Sequence, residues 1–197
     1  DDKSIDILKE IGNIGIGNAA TSLSRMIDKK VMIDLPETYF CHMSKFAELL
    51  GGPEKLLVCI NLPISGDFTG QSVFVFAEDT AKMMSEMLMG TPCTELKDME
   101  LSSLKELGNI FMGSYLNATA QMLQCEVLPQ PPSVSYDFAQ SVMDPILISF
   151  AHQLDQILVI KTEFSINEQA IDGTFLLLVD NVSLDYIFGK IKQIFGE

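Results

Sequence analysis

The order of apolar and polar positions predicts two long amphipathic helices, each followed by an extended segment. Apolar residues recur at helical spacing over residues 4–27 and again over residues 98–124. Extended segments follow at 31–36 and at 126–128. In the first helix, we expect a buried stripe of Ile7, Ile11 and Ile14, flanked by Leu8, Ala19 and Met26. In the second, we expect a buried side of Leu104, Leu107, Phe111, Ala118 and Met122.

Each half of the chain then continues with a predicted hairpin and a closing helix. The strands are expected at 55–63 and 71–77, around the turn 66–70, and at 157–164 and 174–179. Asp79 or Thr80 is the expected cap of the first closing helix, and Ser183 that of the second. Two connectors are less determined: 40–50 reads as a short helix, and 141–151 as either a short helix or a strand.

This order of elements predicts the fold class. Strands joined by short turns form antiparallel sheets, and amphipathic helices need a sheet face to cover. We therefore expect an α/β two-layer domain with pseudo-twofold symmetry, a sheet covered by helices, and the two long helices side by side. We expect residues 1–197 to form a single domain made of two repeats, at about 1–94 and 95–197.

One short polar pattern occurs in both long helices. Glu10 and Asn13 are repeated as Glu106 and Asn109, at a constant offset of 96 positions. At 100° per residue, each pair shares one side of its helix, away from the predicted apolar stripe. The full sets on these faces are Asp6, Glu10, Asn13 and Gly17 in the first helix, and Ser102, Glu106, Asn109 and Gly113 in the second. A single Glu and Asn on a solvated face usually have no role, but identity at exposed positions in both copies favours a function.

Composition removes several classes of function. A net charge of −14 argues against nucleic-acid binding, which needs a basic surface. No apolar run reaches the roughly 18–20 residues of a membrane span, and the first residues show no signal region, so we expect a cytoplasmic protein. The four cysteines form no CxxC pair, and His42 and His152 are the only histidines, so we expect free thiols and no metal site.

The chemistry of the repeated residues is incomplete by itself. A carboxamide is neither a nucleophile nor a proton acceptor, but it can hold a water molecule. A carboxylate one turn earlier can bind a cation or a lysine of a partner. No Ser/His/Asp or Cys/His set and no phosphate-binding glycine loop accompanies them. The pair could therefore complete the active site of another protein.

The spacing Asp/Ser-x3-Glu-x2-Asn-x22-Pro, present twice, resembles that of the CheC family of chemotaxis phosphatases, which includes CheX and FliY. The matching residues are Asp6, Glu10, Asn13 and Pro36 in the first copy, and Ser102, Glu106, Asn109 and Pro132 in the second. Two intact copies resemble CheC itself or the middle region of FliY. The resemblance implies a hydrolase that removes the aspartyl phosphate of CheY, with Mg²⁺ held by CheY and no cofactor in this chain.

The resemblance also implies roles for these residues. Glu10 and Glu106 would pair with the active-site lysine of CheY, and Asn13 and Asn109 would orient the attacking water. Asp6 and Ser102 would support the helix start or the docking surface, and Pro36 and Pro132 would be structural.

Two alternatives remain open at the level of the sequence. The first is binding of the receptor deamidase CheD, which in this family modulates the phosphatase. By resemblance, the contact would lie around 142–153, at Ile146, Ile148 and Phe150, although this apolar stretch could equally be core. The second is the CheC-like core of the flagellar switch protein FliY, with flagellar switch proteins as partners.

Overall fold

In the computed structural model, the described residues are 2–42, 45–150, 156–166 and 169–196. Their helices and strands alternate along the chain. The helices are α1 (Asp2–Ile27), α2 (Phe46–Leu49), α3 (Glu78–Met89), α4 (Asp98–Leu123), α5 (Ala139–Phe150) and α6 (Asn181–Phe195). The strands are β1 (Val31–His42), β2 (Leu56–Gly66), β3 (Gly70–Ala77), β4 (Val127–Pro129), β5 (Ser133–Phe138), β6 (Gln156–Ile166) and β7 (Gln169–Val179).

The strands form one antiparallel sheet in the order β1-β6-β7-β3-β2-β4, with β5 also paired to β2. The central pair is β3 with β7, where Val73 lies opposite Leu176. The strands β1 and β6 pair from Val31 opposite Ile166 to His42 opposite Gln156. The first strand of each predicted half thus pairs with a strand of the other half. The two-repeat division itself stays a prediction.

Alternate residues of the central strands face two apolar clusters. On one face, Ile60, Phe74 and Phe175 join the larger cluster with side chains of α1, α3, α4 and α6. On the other, Cys59 and Val75 join a smaller cluster with α5. The period-2 alternation of each strand explains this division. The predicted fold class, an antiparallel sheet covered by helices with the two motif helices adjacent, is confirmed, and α5 adds cover on the second face.

Several local predictions need correction. Residue 133 begins a strand, β5, that the proline-rich sequence did not suggest. Of the two alternatives left open for 141–151, the helix is the one that forms, since α5 spans Ala139–Phe150. Asp180, rather than Ser183, caps α6, because its carboxylate accepts a hydrogen bond from the Ser183 amide at 2.6 Å. The helix α3 begins at Glu78, with no side-chain cap from Ala77. Within the described ranges, β1 extends well beyond the predicted limit at 36, and β6 and β7 are longer than predicted.

Both long helices end in the same way. Asp28, directly after α1, has φ of 51°, and Gln124, directly after α4, has φ of 49°. A left-handed residue at this position closes a helix, because its amide can reach the last free carbonyls. The Ser24 hydroxyl oxygen then accepts a hydrogen bond from the Val31 amide at 2.9 Å, which joins the end of α1 to β1.

Candidate functional site on the two long helices

The buried side of α1 determines which of its residues face solvent. Ile11, Ile16, Ala19 and Leu23 are almost fully buried, and their directions on the helix cluster around one side. The opposite side carries the candidate residues, since Asp6, Glu10, Asn13 and Gly17 are all exposed. The two residues between the glutamate and the asparagine, Ile11 and Gly12, are buried. The pair therefore lies on successive turns of the exposed face.

The second helix presents its copy in the same way, with one difference. Leu104, Leu107 and Phe111 are fully buried, and Ser102 and Glu106 are exposed. Asn109 is half-buried, whereas Asn13 is exposed. The predicted buried residues Ala118 and Met122 are only partly buried. The two copies thus share their orientation but differ in how far the amide is enclosed.

Ile14 does not belong to the buried stripe that the sequence predicted. Its side chain is 40% exposed, and it lies beside the Glu10/Asn13 face. The signal that could have corrected this was Ile16, because a stripe centred on Ile11, Ile16 and Ala19 leaves position 14 outside it. Ile110, at the same place in the second copy, is partly buried against the core.

A second apolar residue that the sequence analysis missed lies at the start of α4. Met99 is 70% exposed and stands seven residues, or two turns, before Glu106, so it shares the side of the helix that carries the second pair. Residues 97–100 line an open depression of about 420 Å³ there. Its spacing of seven residues from Glu106 could have placed Met99 on this side of the helix from the sequence alone.

The two helices pack antiparallel, which separates the two pairs. The Ser114 hydroxyl donates a hydrogen bond to the Ser22 hydroxyl at 2.8 Å, while Gly15 of α1 lies beside Tyr115 and Thr119 of α4. With Ser114 opposite Ser22, Asn109 lies level with Ile27. Asn13 is fourteen residues from that level, or roughly 20 Å at 1.5 Å per residue. The chain therefore presents two separate candidate sites on one helical layer.

The glutamates and asparagines of both pairs are available for a partner. Among the described residues, none of these four side chains has a hydrogen-bond or ion-pair partner in the chain. Near the first pair, Asp6 and Lys9 form an exposed ion pair, with 3.5 Å between carboxylate and ammonium. Exposed pairs of this kind contribute little to stability. Asp6 lies near the start of α1, and the carboxylates of Glu10 and Glu106 are open to solvent.

Close packing explains two glycines of the long helices. A Cβ on Gly108 would lie 2.7 Å from two side-chain atoms of the buried Ile60. A Cβ on Gly15 would lie 2.7 Å from the ring of the buried Tyr115. A glycine inside a helix costs about 1 kcal/mol relative to alanine. At these two positions, the approach of β2 and of the neighbouring helix offsets that cost.

One proline of the motif lies in an edge strand, and the other lies between two short edge strands. The register of β1 against β6 shifts between Asp34 and Glu37, the interval that contains Pro36. Pro132 lies between β4 and β5, where the second edge strand is interrupted. Proline has no amide hydrogen for a ladder and is therefore confined to edges and bulges. These positions agree with the structural role expected for both.

The structure separates the three residues of the other predicted contact. Ile146 is buried on the smaller apolar cluster, and Ile148 is 71% exposed on the outer side of α5. The side chain of Phe150 and residues 151–153 of the predicted segment lie outside the described side chains. Ile148 is thus the one described member of the set that a partner could touch.

The described residues also bear on metal binding and on membrane insertion. Within those ranges, no group of three or more His, Cys, Asp and Glu side chains could hold a metal ion. No helix in the described part of the chain is both long and apolar enough to cross a bilayer. The described cysteines are free: Cys59 is buried, and Cys93 and Cys125 are half-buried. Burial raises the pKa of the Cys59 thiol to about 12, although a hydrogen bond with Ser135 opposes the shift.

The fold is shared with solved proteins of bacterial motility and chemotaxis. A crystal structure of Thermotoga maritima FliY superposes with a TM-score of 0.81 at 19% identity, covering 97% of this chain and 96% of that one. A crystal structure of the CheX-CheY-BeF3-Mg²⁺ complex from Borrelia burgdorferi superposes with a TM-score of 0.51 at 17% identity, over 83% of this chain and 96% of that one. The chain thus has the fold of FliY-type and CheX-type proteins.

Sequence comparison finds similarity to one family and to two of its named relatives. The CheC-like family matches residues 4–39 and 99–136, the two segments that contain both Glu/Asn pairs and both prolines. The chain is 28% identical to the CheY-P phosphatase CheC of Bacillus subtilis, over 95% of this chain and 93% of that protein. It is 27% identical to the flagellar motor switch phosphatase FliY of the same organism, over 66% of this chain and 34% of that protein. The chain is therefore similar to the CheC-like family in both motif segments, and to the CheC protein over nearly its whole length.

Proposed function

We propose that this protein accelerates hydrolysis of the aspartyl phosphate of CheY. The relatives support the reaction in general, since both similar Bacillus subtilis proteins are named as phosphatases and one is named for CheY-P. The observation that carries the proposal is that both Glu/Asn pairs lie on the outer side of their helices without a partner among the described residues.

In the proposed reaction, this chain contributes position rather than a nucleophile. Glu10 or Glu106 pairs with a lysine beside the phosphorylated aspartate, which docks the helix. Asn13 or Asn109 holds a water molecule in line with the phosphorus through its side-chain oxygen. The water oxygen bonds to phosphorus, the bond from phosphorus to the aspartyl oxygen breaks, and carboxylate and inorganic phosphate are released. The Mg²⁺ of CheY supplies charge neutralisation on the partner's side.

The catalytic role of the amides is tested by removing both. The Asn13→Ala/Asn109→Ala variant should lose on the order of 10²-fold in the rate of CheY-P decay, because the water is no longer oriented. Both changes lie on helix surfaces, so the melting temperature should stay close to that of the parent. Asn181→Ala, at an exposed position on α6, is the matched control and should retain the parent rate. Decay at the parent rate in the double variant contradicts the assignment.

A second candidate is binding of CheD through α5. The observation that favours it is Ile148, a large apolar side chain that is 71% exposed on a helix whose other side is buried. In this proposal, α5 docks on CheD while the two long helices, on the other face of the sheet, remain free for CheY. Capture of purified CheD by the purified chain is the direct measurement.

A flagellar switch role is the remaining candidate. Its support is the similarity to FliY of Bacillus subtilis. The matched region covers 34% of the length of that protein. A CheC-like core within such a protein would dephosphorylate CheY at the motor. The length of the complete gene distinguishes a free CheC-type protein from this assembly.

A further inference from the structure

Two glycines lie on the candidate faces, one helical turn beyond the asparagines. Gly17 lies four residues after Asn13 and seven after Glu10, so on the helix it stands between their directions and one turn beyond the asparagine. Gly113 has the same relation to Asn109 and Glu106. Both are inside uninterrupted helices, since α1 spans Asp2–Ile27 and α4 spans Asp98–Leu123. A helix interior disfavours glycine relative to alanine.

Nothing in the described chain requires glycine at either position. A Cβ added at Gly17 or at Gly113 meets no atom within 4 Å, and neither residue has a left-handed backbone. This distinguishes them from Gly15 and Gly108, where a Cβ would press on Tyr115 or Ile60. The disfavoured residue is therefore uncompensated within the chain, at both copies and beside both asparagines.

We propose that Gly17 and Gly113 are docking positions at which the surface of phosphorylated CheY lies directly against the bare helix backbone. This inference rests on the proposed function and extends it from the Glu/Asn pair to the next helical turn. A side chain at this turn would hold the partner away and withdraw the amide from its pocket. Misplacement by about 1 Å is enough to cost on the order of 10²-fold in a reaction that depends on positioning.

The same argument predicts a size dependence. Alanine adds one methyl group at the contact, and leucine adds a side chain that no docking surface could accommodate without moving away. The loss of activity should therefore increase from Gly17→Ala/Gly113→Ala to Gly17→Leu/Gly113→Leu. Both pairs of changes improve the intrinsic helix propensity, so neither should lower the stability of the chain.

The test compares these variants with a control glycine that also lies inside a helix with open space around its Cβ, but far from the Glu/Asn faces. Gly189 lies exposed in α6, and a Cβ there also meets nothing within 4 Å. Gly189→Ala should raise the melting temperature by about 2–4 °C, as should each alanine at the site. Only the variants at the site should lower kcat/KM for CheY-P. We expect a loss of about 10-fold or more for Gly17→Ala/Gly113→Ala and a larger loss for Gly17→Leu/Gly113→Leu.

Affinity separates this inference from the proposed function. The probe is CheY loaded with BeF3⁻ and Mg²⁺, and its Kd is measured for the parent and for each variant. Absence of phosphatase activity in the parent refutes the proposed function, whereas a higher Kd of the site variants than of parent and Gly189→Ala still supports docking. Equal Kd and equal kcat/KM in parent and site variants overturn the inference, and so does a parent that fails to bind loaded CheY.

Discussion

Asn13 and Asn109 present the same functional group in different surroundings. Asn13 is exposed, whereas Asn109 is half-buried, and the neighbouring isoleucines differ in the same direction. Ile14 is 40% exposed beside the first pair, while Ile110 packs partly against the core. The first pair therefore offers an apolar contact beside its amide that the second does not. At the second pair, the exposed Met99 lies two turns before Glu106.

The proposed CheD contact can be tested at a single residue. Ile148→Asp places a charge on the outer side of α5 and should weaken CheD binding by about 10-fold or more, because an exposed apolar anchor is lost. The fold should be retained, since Ile148 is 71% exposed. Val182→Asp, at a 79% exposed position on α6, is the matched control. The measurement is the Kd for purified CheD by titration calorimetry.

Unchanged affinity in Ile148→Asp would remove α5 as the contact. Ile146 is unsuitable for this test, because it is buried on the sheet and a charge there would disrupt the core. Its burial supports the structural interpretation that the sequence had left open for that residue.

At the scale of the element, each long helix is shaped by what lies beneath it. The sequences between the glutamate and the asparagine, Ile11-Gly12 and Leu107-Gly108, are buried, so they fix the rotation of the helix. Gly108 allows α4 to lie directly on Ile60 of β2. Any change that lifts or turns α4 would also move Glu106 and Asn109.

Gly108→Ala should therefore destabilise the protein even though alanine favours helices. Overpacking a dense core costs about 1–3 kcal/mol, of which helix propensity returns about 1 kcal/mol. The net loss should be up to about 2 kcal/mol, or a fall of up to several degrees in melting temperature. Gly113→Ala, on the same helix with nothing near its Cβ, should instead raise it. Thermal unfolding followed by circular dichroism measures both.

Equal melting temperatures for the two variants would contradict the packing argument. Combining Gly108→Ala with Ile60→Val, which removes a methyl group from the opposing side chain, should recover part of the loss. Recovery would identify the pressure on Ile60, rather than a change in the helix itself, as the cause.

At the scale of the whole molecule, the strand order ties the two predicted halves together. The strand β1 pairs with β6, and β4 and β5 pair with β2, so each half supplies an edge strand to the other. The central pair of β3 and β7 also joins the halves. Neither half could form this sheet from its own strands alone.

We therefore expect the fragments 1–94 and 95–197 to be unfolded when made separately. Each would expose an unpaired sheet edge and the apolar face that the other half covers. Mixing the two should restore a cooperative thermal transition. The measurement is the circular dichroism melting curve of each fragment alone and of the equimolar mixture. A cooperative transition in either fragment alone would show that the halves fold independently.

The sequence by itself determined the long helices, the hairpins and the outward direction of the Glu/Asn pairs. These follow from short-range rules, namely helical and strand periodicity and the turn propensity of glycine, and they lie within a few residues of their predicted limits. The resemblance to the CheC-like family could also be identified from the sequence, because the motif lies within two short segments of the chain.

Only the tertiary structure decided which strands pair across the sheet, which side of α1 is buried, and which glycines are explained by packing. Strand exchange depends on contacts between residues more than 60 positions apart, which no local pattern encodes. The exposure of Ile14 follows from the position of the sheet and of α4, whereas its apolar character suggested the reverse. The contrast between Gly108, which presses on Ile60, and Gly113, which faces open space, exists only once the neighbouring elements are in place, because glycine carries no side chain to indicate its surroundings.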